Sequence, residues 1–326
     1  MRFFDHAATR DALPFERLIP ALRDLFAQGC EVPLRHSHTV AAGPDGTLTS
    51  LIMPAWVPGR CYGVKTVNIA TGNARLGLPG LHSTYLLYDA VTGAPLAWMD
   101  GDQITARRTA AASALAASWL ARADARHLLV VGAGQVARLL PEAYRAVRPI
   151  ERVTVWARNE AQARAFVVDL RERGWDAHCA SNLQAAAGEA DIVSCATLAT
   201  QPVLMGCWLP PGSHLDLIGS FTPAMREADD DCFAGAALYV DTDEALAKSG
   251  DLLGPMSRGV FAASDVQGTL ARLARGEASG RGSAGQRTVF KSVGTALEDL
   301  AAAMLVYDGS PVEGRPAFHA DGRTLR

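Results

Sequence analysis

This sequence predicts an α/β fold built on a doubly wound parallel sheet, joined to a discontinuous α+β domain, and three observations predict it. From Arg126 onward, short apolar runs of strand length alternate with stretches of helical periodicity, the rhythm of a parallel sheet buried on both faces. The first of those runs, HLLVV at 127–131, leads at once into Gly132-Ala133-Gly134-Gln135-Val136-Ala137 and an amphipathic helix. Residues 1–125 read differently, as short strands separated by turns, the pattern of an antiparallel sheet. At 326 residues the chain is long enough for two domains. We place them at 1–125 and 126–292, with 293–326 returning to the first.

Taken in order, turn signals stand at Gly43-Pro44-Asp45-Gly46, Pro58-Gly59, Thr71-Gly72-Asn73, Pro79-Gly80 and Thr92-Gly93. Between them Ser50–Met53, Tyr62–Ile69, Ser83–Tyr88 and Pro95–Met99 are short and apolar enough for strands. An alanine-rich helix follows at Ala106–Ala123, of high propensity and suited to close backbone packing. After the glycine turn, Val136, Leu139, Leu140, Ala143, Tyr144 and Val147 keep the 3.6-residue period. Pro141 should kink that helix, because its ring meets the carbonyl of Ala137. Next come a strand at Arg152–Trp156, a helix at Glu160–Arg173 ended by Gly174, and strands at Asp191–Ala196, His214–Gly219 and Ala237–Asp241. Val260–Ala263 is strand-like, Gly276–Gln286 reads as a flexible loop by composition, and Val293–Tyr307 is a strong last helix.

Composition excludes several classes of function. Hydrophobic residues make up 49% and charged residues 20%, which is globular, and the net charge of −3 leaves no electrostatic footprint for nucleic acid or an anionic membrane. No apolar run approaches the roughly 20 residues of a spanning helix, and MRFFDHAATR is not a signal peptide, so a cytoplasmic protein is expected. The six cysteines form no C-x-x-C pair and read as small buried side chains in a reducing compartment. His36 and His38 alternate on a possible strand without an acid or thiol spaced to join them, so no metal site is expected. Only Lys65, Lys248 and Lys291 are lysines among 31 basic residues. Where arginine serves for ordinary surface charge, a lysine among apolar neighbours is notable, because lysine can lose its proton at accessible pH. Lys248 reads as an exposed helix cation.

The G-x-G-x-x-A segment has the strand–turn–helix–strand context of a Rossmann-type dinucleotide site. Gly132 makes the tight turn, and Gly134 lets the N–H groups of Gln135 and Val136 approach a pyrophosphate at the helix N-terminus. Ala137 still permits close helix–strand packing. The second strand ends in Trp156-Ala157-Arg158-Asn159, without the acid that would bond a ribose 2′-hydroxyl. Arg158 can pair with a 2′-phosphate, and Asn159 can donate to it while capping the next helix, so NADPH is the expected cofactor and NADH remains possible. Against this stands a plainer role for Arg158, flanking the adenine. In the first domain, Lys65 lies in an apolar strand, and Arg107-Arg108 open the alanine-rich helix. One arginine of that pair is expected to hold a carboxylate through its planar fork.

In these residues the chain resembles the ornithine cyclodeaminase/mu-crystallin family. GVKTVNI, MDGDQITARRTAAASALAA, VVGAGQVA, VTVWARN, ADIVSCAT, LPPGSHLDLIGS, LYVDTDEALAKSGDLL and TVFKSVGTALEDLAAAMLVYD occur in that family's order and spacing, from about residue 50 to 308. The resemblance implies a Rossmann domain and a discontinuous substrate domain that forms a homodimer. It implies that Lys65 and Arg108 meet the substrate, with Arg35, Phe221 and Ser292 beside it, and that Thr197, Gly219 and Ser220 join the cofactor site. One departure is informative. Members that deaminate ornithine carry an aspartate in a motif like G-x-D-x-P-G-K, and this chain has Phe221 there. A phenyl ring can neither accept a proton nor activate water. The GSFTPxMRE wording is similar to the branch that reduces Δ1-pyrroline-2-carboxylate and Δ1-piperideine-2-carboxylate to L-proline and L-pipecolate. That reaction needs hydride at C2, a proton on nitrogen and a clamp on the carboxylate; Lys65 suits the second and Arg108 the third. Ornithine cyclodeamination or amino-acid dehydrogenation is the alternative, and a crystallin-like protein that binds dinucleotide without turnover is another.

Overall fold

The structure, a computed structural model, describes residues 1–41 and 47–309. The turn expected at Gly43–Gly46 lies outside them. Two compact units divide the chain: Met1–Arg108 together with the segment from Thr295 onward, and Thr109–Gly294.

The first unit begins with β1 (Arg2–Phe4), α1 (His6–Asp11) and α2 (Phe15–Gln28). The strands β2 (His36–Ala41), β3 (Thr47–Val57), β4 (Cys61–Ala70), β5 (Leu81–Asp89) and β6 (Pro95–Asp100) follow, and lead into α3 (Gly101–Leu120). The boundary between the units falls inside α3, between Arg108 and Thr109, rather than after it. The six strands lie in the order β1-β6-β5-β4-β3-β2, antiparallel except for the pair of β1 with β6. Along β4, residues 61, 63, 65 and 67 are buried and 62, 64 and 66 half-buried, the two-residue period of a sheet with one core face. The first 28 residues depart from the strands expected of them. Phe15, Leu18, Ile19, Leu22, Leu25 and Phe26 are the buried residues of α2, at helical spacing, and Gly29 ends the helix at φ 81°.

The second unit runs through β7 (His127–Val131), α4 (Gln135–Arg145), β8 (Arg152–Trp156), α5 (Glu160–Glu172), β9 (Asp176–Cys179), α6 (Leu183–Glu189), β10 (Ile192–Cys195) and β11 (His214–Leu217). It continues with β12 (Ala237–Val240), α7 (Ala245–Lys248), α8 (Gly250–Ser257), β13 (Val266–Thr269), α9 (Leu270–Ala274) and β14 (Thr288–Lys291). All eight strands are parallel, in the order β13-β12-β14-β11-β10-β7-β8-β9. The order reverses beside β7, the switch point at which such sheets bind ligands beyond their carboxyl ends. Helix α4 passes through Pro141 without ending. Val260–Ala263 is not a strand; a 3₁₀ turn at Ala263–Asp265 intervenes and the strand is β13. The 276–286 segment has no regular structure but is firmly tied. Arg281 donates to the carbonyls of Leu120 and Ser213 and to Thr288 Oγ1, and Tyr239 OH lies within hydrogen-bond distance of the carbonyls of Ser279 and Gly280, at 2.8 Å and 3.1 Å. The last helix, α10 (Ala296–Asp308), returns to the first unit, packing on α2, β3, β4 and β5 with nearly every residue buried.

Candidate active site

In the first unit, four charged side chains meet under the sheet. Lys65 projects from the buried face of β4, because odd-numbered residues of that strand face the core. Its Nζ lies 2.8 Å and 2.7 Å from the two oxygens of Asp299 and 3.2 Å from Thr105 Oγ1. Arg108 donates from Nε to Asp299 Oδ1 at 2.9 Å and from one Nη to Glu298 Oε2 at 2.6 Å. Lys65 is 1% exposed, Arg108 6%, and neither acid is exposed at all. Successive helical residues point about 100° apart, which separates the two arginines. Arg107 donates to the Leu13 carbonyl and lies over the Phe15 ring, so it fastens the amino-terminal segment while Arg108 faces the acids.

The electrostatics of this cluster favour a mobile proton on Lys65. Burial pulls its pKa down from the ordinary lysine value to about 8, against the attraction of Asp299 and with the repulsion of Arg108. Burial alone would raise Asp299, but Arg108 and Lys65 overcome it and hold that carboxylate below its usual range. Arg108 stays charged. Two of its nitrogens are committed to Glu298 and Asp299, leaving the second Nη without a partner among the described residues. The guanidinium has five N–H donors, so the hydrogens not given to these acids remain for a substrate carboxylate.

Glu298 and Asp299 were not singled out in the sequence, for a local reason. Thr295-Ala296-Leu297-Glu298 has the form of a capping box, and acids in a first turn are ordinary complements of the helix dipole. The structure uses Glu298 otherwise: Thr295 caps α10 by accepting from Leu297 N, and Glu298 pairs with Arg108. Arg35 is half-buried just ahead of β2.

The dinucleotide elements lie in the second unit. Gly132 has φ +127°, and a Cβ there would stand 2.5 Å from the Ala196 carbonyl, so glycine is required. Gly134 differs: its backbone is ordinary, it is the N-cap of α4, and a Cβ on it would meet nothing within 4 Å. The first-turn N–H groups of α4, at Gln135 and Val136, thus face a space that a side chain would occupy. That space, at a helix N-terminus beside the switch point, suits a pyrophosphate. At the end of β8, Ala157 is half-buried and Arg158 and Asn159 are exposed, on an open groove completed by Glu160, Ala161 and Arg164. Asn159 caps α5 by accepting from Gln162 N, which leaves its amide donors available. Arg158 has no hydrogen-bond or ion-pair partner among the described residues.

The loops after β10, β11 and β14 complete the unit's carboxyl edge. Thr197 and Gly219 both donate to Glu227, a fully buried acid that the motif reading passed over. The Ser220 hydroxyl is occupied with the Met225 carbonyl and Ser249, so only its backbone could meet a cofactor. Ser292 is buried just past β14, and its N–H donates to the Leu217 carbonyl. Phe221 is 45% exposed.

Comparison with known proteins bears on the family and the fold. The sequence profile of the ornithine cyclodeaminase/mu-crystallin family matches residues 22–312. A Δ1-pyrroline-2-carboxylate reductase of Paracoccus denitrificans is 44% identical over 301 residues, covering 92% of this chain and 94% of its own. The structure of the Thermococcus litoralis Δ1-pyrroline-2-carboxylate reductase in complex with NADH and L-proline superposes with a TM-score of 0.87 at 32% identity, covering 95% of this chain and 97% of that one. An archaeal alanine dehydrogenase dimer with bound NAD gives 0.86 at 29% identity, covering 95% of each chain. With a profile match over most of its length and a relative 44% identical across 92% of it, the chain belongs to the ornithine cyclodeaminase/mu-crystallin family.

Proposed function

We propose that the protein is an NAD(P)H-dependent imine oxidoreductase that reduces a small cyclic ketimine acid, Δ1-pyrroline-2-carboxylate or its six-membered homologue Δ1-piperideine-2-carboxylate, to L-proline or L-pipecolate. The observation that carries this reading is the buried Lys65 beside Arg108, one group with a proton to give near neutral pH and one with fixed positive charge. The relatives named above, reductases of such an imine, support it. A nicotinamide dinucleotide bound at Gly132, Gly134 and the start of α4 supplies hydride. Lys65 donates a hydrogen bond to the ring nitrogen and holds the proton there as the nitrogen becomes basic. Arg108 binds the carboxylate, with Arg35 and Ser292 assisting. Asp299 keeps Lys65 and Arg108 from repelling one another at close range. Phe221 offers ring carbons an apolar surface and no acid or base, which disfavours hydrolytic deamination of ornithine.

Arg158 and Asn159 favour NADPH through its 2′-phosphate, although the Thermococcus relative was solved with NADH. On this reading Thr109–Gly294 binds the dinucleotide, the other unit supplies Lys65, Arg108 and Arg35, and the chain forms a homodimer; the archaeal alanine dehydrogenase is also a dimer. No helix among the described residues is long and apolar enough to cross a membrane, and the six free thiols suit the cytoplasm. The test follows the absorbance of NADPH, and separately NADH, with purified protein and each cyclic imino acid, alongside L-ornithine with NAD+ assayed for ammonia. Oxidation of either dinucleotide with an imine is the expected result, with NADPH the faster. Ammonia from ornithine with no imine reduction would overturn the reading.

A further inference from the structure

Glu227 is a fully buried acid of the second unit whose carboxylate accepts three hydrogen bonds, as those of Asp216 and Asp241 do. Its Oε1 accepts from Thr197 N at 2.7 Å and from Thr197 Oγ1 at 2.8 Å, and its Oε2 accepts from Gly219 N at 2.6 Å. Its own backbone is pinned, since its carbonyl accepts from Val203 N and Leu204 N and its N–H donates to Asp251 Oδ1. One carboxylate thus ties together the loops that leave the adjacent strands β10 and β11. The approach is so close that a Cβ on Gly219 would stand 2.0 Å from the Thr197 carbonyl and 2.5 Å from Glu227 Oε1. The glycine turn leans on the same loop, at the Ala196 carbonyl under Gly132.

We propose that Glu227, as its carboxylate, is the positioning residue of the dinucleotide site, holding the Thr197 and Gly219 loops in the arrangement that binds cofactor. This rests on the reading that the dinucleotide lies along Gly132–Val136 and those two loops. The role needs the ionised form. Three donors converge on two oxygens, and a proton on either oxygen would confront an N–H or displace the Thr197 hydroxyl. The surroundings set where that form is lost. Burial raises Glu227 to about 7; Lys291 of β14 opposes the shift, Asp251 of α8 adds to it, and the Thr197 donors oppose it. Cys195 of β10 is held neutral by burial throughout this range. Dinucleotide affinity therefore falls as pH drops through about 7, because protonation releases the loops.

The experiment titrates the full-length protein with NADH, by nicotinamide fluorescence, from about pH 6 to 9. NADH is the probe because the 2′-phosphate of NADPH, like other phosphate monoesters, titrates near 6. The expected wild-type result is weaker binding on the acid side with a break near 7. Glu227→Gln should bind roughly tenfold more weakly at pH 8, since its amide opposes one of the N–H donors, and should lose the break. Thr197→Val guards against a misfolded variant: losing one donor to the carboxylate should move the break to higher pH, whatever its effect on affinity. A flat wild-type profile, an unchanged break in Glu227→Gln or an unmoved break in Thr197→Val would overturn the role of Glu227 while leaving the dinucleotide site intact. Wild-type protein that binds neither NADH nor NADPH at any pH would overturn the site itself, and this role with it.

Discussion

Lys65, with its pKa brought down to about 8, is a proton donor below that pH and not above it. Reduction consumes a proton, so kcat should be sustained at lower pH and should fall as pH rises through about 8, the opposite of what a general base would give. Lys65→Met should lower kcat at saturating imine by about 10²- to 10⁴-fold and remove that basic limb; wild-type turnover in the variant would end the assignment. Asp299→Asn tests the cluster from its other side. It leaves two cations buried without their shared counter-charge and should cost about 3–5 kcal/mol in urea unfolding. It also removes the group that holds the Lys65 pKa up, so the basic limb should move to lower pH in any activity that survives. At this scale the two halves of the cluster were unequally legible. Lys65 stood out because lysine is so rare here, whereas Glu298 and Asp299 sit where any helix welcomes acids. Nothing local says that a helix some 230 residues away brings them to β4.

Elements announced themselves in proportion to how local their causes are. The β7–turn–α4–β8 passage was readable almost to the residue, since apolar run, glycines and amphipathic period all act within thirty positions. The two glycines of its turn do different work, and substitution separates them. Gly132→Ala forces a side chain onto φ +127° and against the Ala196 carbonyl, so it should lose about 1–3 kcal/mol of stability. Gly134→Ala should fold within about 0.5 kcal/mol of wild type, its backbone being ordinary and its Cβ unobstructed. Its methyl stands instead where backbone must approach the pyrophosphate, so dinucleotide affinity should drop about tenfold or more. Parallel urea melts and NADPH titrations of the two variants check this, and normal binding by Gly134→Ala would sink the proposed cradle. Segments whose order comes from distant partners were misread. The 276–286 segment has the composition of a flexible linker, yet Arg281 binds it to carbonyls 68 and 161 positions away. The short strand β13 was displaced by one turn because its apolar content is slight.

For the molecule as a whole, the sheet of the first unit poses the remaining question. The sequence marks β4 as a short apolar run, but not which of its faces the core takes, because α10 arrives from the far end of the chain to cover it. The opposite face is apolar and half-exposed, where an isolated domain would place polar groups. It carries Val64 directly across from Leu86, the Tyr62–Tyr88 stack with centroids 5.5 Å apart, and Trp98 stacked on Phe3, which is 68% exposed. A contiguous surface of this kind marks an interaction face, and a two-fold pairing of like sheets would cover it with a single self-complementary contact. Sedimentation at micromolar concentration should therefore give twice the chain mass of 34.5 kDa. Val64→Arg would set a charge from each copy at the centre of that contact, unpaired and removed from water, and should yield the chain mass alone. Because Val64 points away from Lys65, loss of the dimer should leave the cluster's unfolding signature in place, which distinguishes a broken interface from a broken fold. Wild-type protein at 34.5 kDa would show that this face serves something other than a second copy.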